Sequence, residues 1–368
     1  MTTALLPEGL RDRLPPQADA AAAILRAALD AIRAHGYERV APPLAEYEES
    51  LVGRLKTSAA RDLLRVADPL SQRTLALRPD ITTQVGRIAA TRLAHRPRPL
   101  RLSYGGSVMK LRASQLRPER EMTQIGAELV GRDSAAAAAE IVAVAVEALA
   151  AAGATGITVD LTLPDLVDTL AAGPLPLRPS QAAQVRALLD AKDAGGLAAS
   201  GAAAYLPLIE AAGPFADALE RLRAFDTNGI LDRRLAALDT IATRLEGMAE
   251  VTLDPTERHG FEYQSWLGFS LFADGLTGEI GRGGTYTILH EDGHEEPAVG
   301  FSIYPDPLLD VRADEQPSRR LFLPLGHDPD LAARLRGEGW VTVAALDERC
   351  DGAGCTHHLV AGEVQPPT

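Results

Sequence analysis

Apolar residues recur every three to four positions from Gln17 to His35. Ile24, Leu25, Ala28, Leu29 and Ile32 share one stripe, and Arg26, Asp30 and Arg33 lie off it. That period predicts an amphipathic helix over about 16–35, stopped by Gly36. YERV then starts as a short strand, and Pro42-Pro43 forbid helix beyond it. Alternating runs at 74–77 and 100–104 predict strands, and ITTQVGRIAATRLA between them has helical spacing. Asp133 or Ser134 can cap an alanine-rich helix running to about Ala152, where Gly153 ends it. ITVDLTL reads as a strand.

From about Pro164 to Met248 the pattern is almost wholly helical, punctuated by Gly173-Pro174 and Gly213-Pro214. VTLD, FEYQSWLGFSLFA, GEIGRG and AVGFSI then return to strand-like runs with glycine turns. Strands surrounding a helical insertion predict an α+β domain with a mostly antiparallel sheet over 1–315, the insertion lying at about 164–248. The tail, 316–368, reads as a short α/β appendage. RLFLPLG is a strand, DPDLAARLRGEG a helix opened by Asp328 and Pro329, and WVTVAAL another strand.

Composition narrows the function. With 46% hydrophobic residues in 368, wholesale disorder is excluded. Lys and Arg number 37 against 50 Asp and Glu, a formal charge of −13, which argues against a general polyanion binder. Two cysteines exclude a disulfide-stapled secreted domain. Glu8, Arg11 and Asp12 interrupt any signal-peptide pattern at the N-terminus. The longest apolar region, Ala135 to Ala154, is mostly alanine and carries Glu140 and Glu147, so it is a poor membrane span. A soluble, cytoplasmic protein is expected, with no membrane partner.

Several polar residues suit a small zwitterion bearing an imidazole. Asp80 and Thr82 lie two apart, and in an extended segment they face one side, offering carboxylate and hydroxyl acceptors to an α-amino group. Gln124, Glu128 and Tyr263 add amide, carboxylate and phenol, and a buried carboxylate such as Glu128 suits an imidazole N–H. Each of them, taken singly, also reads as a satisfied polar residue in a sheet.

Four segments occur in order: LLPEGLRD, LALRPDITTQVGR, the run from LRLSYGGSVMK to EREMTQIGAELVG, and IGRGGTYTILHEDGHEEPAVGFSIY. Over roughly residues 5–310 they resemble the catalytic body of histidyl-tRNA synthetase, a class II aminoacyl-tRNA synthetase. The resemblance implies an antiparallel sheet of six or seven strands flanked by helices, usually in a dimer. It also implies histidine-holding positions at Asp80 (where glutamate is usual), Thr82, Gln124, Glu128 and Tyr263.

Three cationic positions depart from that family. Lys110 replaces the first arginine and loses its planar fork, His259 stands at the histidine-specific arginine, and Pro307 has no side-chain donor where the third motif carries arginine. Thr285 stands where the family commonly has a further arginine. Losing one oxyanion-type donor costs about 10²–10³ in rate, so adenylation is expected to be negligible. The region after Arg319 is too short for the synthetase's anticodon-binding domain, and the acidic charge removes the expected tRNA surface.

Both departures are shared with a second family that the chain resembles over essentially its whole length, the regulatory subunits of ATP phosphoribosyltransferase. That resemblance implies a non-catalytic partner for the short-form catalytic subunit in a hetero-octamer, with histidine as feedback effector of histidine biosynthesis. It implies histidine-binding positions at Asp80, Thr82, Lys110, Gln124, Glu128, His259 and Tyr263, and no catalytic residue, cofactor, metal or tRNA. It leaves open whether histidine binds the old synthetase pocket or an interface with the partner. The alternatives are a divergent active histidyl-tRNA synthetase and a histidine-sensing pseudo-synthetase with another partner.

Other clusters carry blander readings. Cys350 and Cys355 with His357 and His358 hold zinc-type ligands, yet DGAG between the cysteines reads as a hairpin turn. His290, Asp292, His294, Glu295 and Glu296 read as an exposed acidic hairpin. Arg96, Arg98 and Arg101 read as a solvated loop entering a strand.

Overall fold

The alanine-rich segment becomes a helix at Ser134, whose hydroxyl accepts a hydrogen bond from the Ala137 amide at 3.3 Å. It spans Ala135–Ala151 and buries Ile141, Val142, Val144, Val146 and Leu149. Alanine over much of the rest allows close approach by the elements around it. The structure is a computed structural model that describes residues 5–51, 63–111, 118–258, 264–311 and 319–367.

In chain order, α1 (Gln17–Ala34) leads to β1 (Glu38–Arg39), β2 (Ala45–Tyr47) and α2 (Glu48–Leu51). Next come β3 (Leu64–Ala67), β4 (Thr74–Leu77), α3 (Thr82–Ala90), β5 (Leu100–Met109), β6 (Glu121–Val130), the alanine-rich helix as α4, and β7 (Thr158–Thr162). The insertion holds α5 (Leu166–Ala171), α6 (Pro179–Asp190), α7 (Ala194–Ala199), α8 (Pro207–Glu210), the two-residue β8 (Gly213–Pro214), α9 (Phe215–Phe225) and α10 (Asp232–Arg244). Strands β9 (Glu250–Leu253), β10 (Gly268–Phe272), β11 (Gly281–Leu289) and β12 (Glu295–Ile303) with α11 (Leu308–Val311) follow.

Nine strands form one sheet in the order β1-β5-β6-β12-β11-β10-β7-β9-β8; β1–β5 and β7–β9 pair in parallel and the other neighbours are antiparallel. Alternation along β5, β6 and β12 divides the core in two. Ile125, Ala127, Leu129, Val299, Phe301 and Ile303 pack with α1 and α4, whereas Leu100, Leu102, Met122, Val130 and Ala298 pack with Val85 and Ala89 of α3. Strands β2, β4 and β3 make a separate small sheet. No described helix is long and apolar enough to cross a membrane.

The chain divides into two compact units, Met1–Val311 and Arg312–Thr368. In the second, β13 (Arg320–Leu323), α12 (Pro329–Gly337), β14 (Val341–Ala344), β15 (His357–Val360) and β16 (Glu363–Gln365) form a sheet in the order β14-β13-β15-β16. Asp328 opens α12 by accepting from the Asp330 amide at 2.9 Å. Leu321, Leu323, Leu335, Trp340 and Leu359 are its core.

Several expectations need correction. Only Gly268–Phe272 of FEYQSWLGFSLFA is strand among the described residues. DGAG turns at Gly352, but it lies on a crossover, because β14 and β15 flank β13 on opposite sides and both run parallel to it. The arginines at 96, 98 and 101 are not merely solvated: each holds a carboxylate, Glu38, Glu296 and Glu140 respectively. Glu296 is likewise buried rather than exposed, held by Arg98 and by His290 at 2.9 Å. A −13 chain supplies these partners internally, which leaves the arginines little charge for an outside polyanion.

Candidate functional site

The period of two in β5, β6, β11 and β12 collects polar side chains on the α3 face of the sheet. Cross-strand pairs Gly106↔Gln124, Leu102↔Glu128, Gly300↔Glu128, Gly126↔Ser302 and Tyr286↔Ala298 set the register. Residues 124, 126, 128 and 130 of β6 therefore point one way, and the apolar floor under α3 gives way to Glu128 and Gln124.

Glu128 is 1% exposed. Tyr104 Oη donates to its Oε1 at 3.0 Å and Tyr286 Oη to its Oε2 at 2.7 Å. Burial pushes the Glu128 carboxyl up to about 8, against the pull of the two hydroxyl donors. The Tyr104 hydroxyl also lies 3.0 Å from both Thr82 Oγ1 and Ser302 Oγ, so one phenol ties three side chains together. Burial, reinforced by the Glu128 charge, raises that phenol's pKa well above its ordinary value.

Room for the carboxylate comes from Gly300, directly opposite in the neighbouring strand. A Cβ there would overlap Glu128 Oε2. Gly300→Ala is expected to displace Glu128 from Tyr286 and to lower stability by about 1–3 kcal/mol, read as a denaturation midpoint. A midpoint equal to the parent's would show that the carboxylate has other space.

Asp80 and Thr82 are not extended, as their spacing suggested. Asp80 precedes the first turn of α3, its Oδ1 accepting from the Thr82 amide at 2.7 Å, while Thr82 opens the helix. Gln124 donates to Asp80 Oδ2 at 2.8 Å and to Ser302 Oγ at 2.7 Å, and accepts from the Ile81 amide at 2.9 Å. Its amide is thus committed to positioning Asp80 and the start of α3. Burial pushes the Asp80 carboxyl up, with Gln124 and Thr82 as the opposing donors.

Asp80, Thr82, Glu128, Gln264, Tyr286 and Ser302 line a cavity of about 40 Å³. Lys110 follows the end of β5, is exposed, and is not among the lining residues. His259 and Tyr263 lie outside the described residues.

Sequence reasoning missed Tyr104, Tyr286, Ser302, Gln264 and Arg282. Alternation from Glu128 across the register finds the first three. Arg282 also lines the cavity; its fork lies on Glu279, at 2.6 and 3.0 Å. Thr285 is fully buried and serves the loop before β10, accepting from the amides of Trp266 and Leu267 at 3.2 and 3.1 Å. It is a packing hydroxyl.

A second cavity, about 320 Å³, lies beside Pro307 and is lined by Arg11, Glu119, Asp306 and Asp310 among others. Asp306 is held by Arg13 at 2.8 Å and by the Thr123 amide at 2.9 Å. Among the described residues, three carboxylates to one lining arginine make the wrong field for a triphosphate.

The histidyl-tRNA synthetase family model matches residues 9–308. Proteins called ATP phosphoribosyltransferase regulatory subunit from Rhodospirillum centenum and Paramagnetospirillum magneticum are 43% and 42% identical to the chain. The alignments cover 98% and 97% of this chain and 96% of each relative. The chain belongs to the ATP phosphoribosyltransferase regulatory-subunit family. Regulatory subunits of this kind are named for their role beside an enzyme, and the chain is not itself an enzyme.

Solved structures agree on the fold. One from Bacillus halodurans, described as an ATP phosphoribosyltransferase regulatory subunit/histidyl-tRNA synthetase, matches with TM-score 0.79 at 23% identity, over 94% of this chain and 95% of that one. Histidyl-tRNA synthetase from Nostoc sp. PCC 7120 matches with TM-score 0.78 at 17% identity, over 98% and 91%. The regulatory-subunit chain thus carries the class II synthetase fold expected from its sequence, α+β with a large central sheet.

Proposed function

We propose that this chain is the non-catalytic regulatory subunit of a cytoplasmic ATP phosphoribosyltransferase, acting in histidine biosynthesis. It enables a short-form catalytic chain within a hetero-octamer built on dimers of its own, and it carries histidine feedback. The observation that carries the role is the 43% identity across 98% of the chain to a protein of that name. The boundaries that suit this reading are a synthetase-like body over 1–315 and a short α/β appendage over 316–368.

For the effector, support comes from the cavity on the α3 face. Its carboxylates and amide oxygen are acceptors, which suits a ligand rich in N–H donors such as histidine. Asp80 and Thr82 take the α-amino end and Glu128 takes the ring. Gln124 holds Asp80 in place. At about 40 Å³ the cavity is small for an amino acid, so binding opens it. Feedback then follows from differential affinity: histidine favours the assembly state in which the cavity is open, and that state is the less active one.

Mixing the purified chain with a short-form catalytic chain tests the proposal. Light scattering is expected to report one hetero-octamer, phosphoribosyl transfer to rise on mixing, and histidine to inhibit the mixture. No complex and no gain in transfer would overturn the role.

A further inference from the structure

Helix α6 stops on a lysine where a glycine would be easier. Lys192 follows the helix at φ +54°, its amide donating to the Leu189 carbonyl at 3.0 Å and the Asp193 amide to the Leu188 carbonyl at 2.8 Å. That kind of helix end calls for a left-handed residue, and glycine adopts it without the crowding a Cβ brings. What the lysine adds lies at the far end of its side chain. Nζ donates to Asp254 Oδ1 at 2.7 Å and to Thr256 Oγ1 at 2.6 Å, just beyond β9.

Lys192 does not hold that segment alone. Asp190, the last residue of α6, accepts from the Arg258 amide at 2.9 Å. Arg186 and Leu189 of the same helix share with Pro255 and Thr256 a void of only about 10 Å³, so residues 254–258 have no slack to shift without moving α6. From the sheet, Thr162 of β7 donates to the Glu257 carbonyl at 2.5 Å. Farther along the chain Gln264 lines the effector cavity, its Nε2 donating to the Gly283 carbonyl at 2.7 Å. The insertion therefore grips the chain ahead of one wall of that cavity.

We propose that the clasp from Lys192 to Asp254 and Thr256 makes the helical insertion the moving part of the effector response, closed while the cavity is small and released when histidine opens it. Resting on the reading that histidine occupies this cavity, the proposal adds where the response goes. A contact made in one state and broken in the other adds its free energy to the cost of opening. The clasp thus opposes histidine, and by reciprocity histidine loosens the end of α6.

The test is calorimetric titration of the full-length chain with histidine, for the parent, Lys192→Gly, Asp254→Asn and the double variant. Hydrogen exchange of the parent is followed over residues 185–200 with and without histidine. Glycine suits the left-handed position, so K192G is expected to fold with the end of α6 intact. K192G is expected to bind histidine about fivefold or more tightly than the parent, and D254N to shift the same way. The double variant is expected to gain nothing beyond K192G, because both changes break one contact. In the parent, histidine is expected to speed exchange at the end of α6. A lysine that only ends a helix or steadies the fold would leave K192G binding no more tightly than the parent. That result, additive gains in the double variant, or exchange unmoved by histidine would overturn the clasp while histidine binding stands. A parent that binds no histidine removes the reading of the cavity, and the clasp's role falls with it.

Discussion

Glu128→Gln is expected to weaken histidine binding about 10–100-fold, the loss of a charge-assisted hydrogen bond in a buried site, while leaving assembly with the catalytic chain intact. Gln is chosen over Ala because truncation would also strip Tyr104 and Tyr286 of their acceptor. The pH dependence separates a ligand group from a structural one. The free carboxyl sits at about 8, so near neutrality it holds a proton, and free histidine's ring, titrating near 6.5, does not. The complex needs the one proton they share. Affinity is therefore expected to be level between about pH 6.5 and 8 and to fall about tenfold per unit above that, as the free carboxyl loses its proton. E128Q should lack this alkaline limb; a parent profile identical to the variant's would remove Glu128 from the ring contact.

The same carboxyl makes a statement about stability in the absence of ligand. Its folded pKa lies above its unfolded value, so between about 4.5 and 8 the native chain holds a proton that the unfolded chain has released. Stability from this group is complete below that window and declines by about 1.4 kcal/mol per unit as pH rises through it. The parent should lose stability relative to E128Q from pH 5 to pH 8 in denaturant titrations, and a parallel pair of curves would contradict the buried carboxyl.

Histidine-dependent ATP–pyrophosphate exchange is expected to be undetectable, at least about 10⁴-fold below a working synthetase, because two or more phosphate-binding donors are absent together. The cavity beside Pro307 has Glu119, Asp306 and Asp310 along its wall, with Asp306 already paired to Arg13. Pro307→Arg alone should not restore exchange, since those carboxylates would take the new guanidinium before a phosphate could. Robust exchange by the parent chain would instead place it among active synthetases.

The comparison between chain and structure turns on distance along the sequence. Periodicity of three to four residues located α1, and Ser134 and Asp328 marked the starts of α4 and α12, because capping and amphipathicity are settled within a turn or two. The resemblance to histidyl-tRNA synthetase likewise pointed to Asp80 and Glu128 as the acidic groups of a candidate site. Which groups meet was not legible. Tyr104 reaches Glu128 across 24 residues and Tyr286 reaches it across 158, and both contacts depend on the register of strands distant in sequence.

The turn that sets the Asp80 carboxylate on the Thr82 amide ahead of α3 also lay beyond pattern reading, because two residues apart in a strand and two apart at a helix start look alike in sequence. Arg98 found Glu296 in a hairpin nearly two hundred residues away, so what reads as a loose basic loop is an internal ion pair. By itself, then, the chain determined its helices, its strand-forming runs and the chemical kinds of its polar groups, all local properties. The assembled sheet alone decided that one phenol would join three of those groups, that Gly300 would make room for a carboxylate, and that Gln264 would be left, among the described residues, holding out an acceptor. Burial and contact between distant segments exist only after the backbone has been brought together.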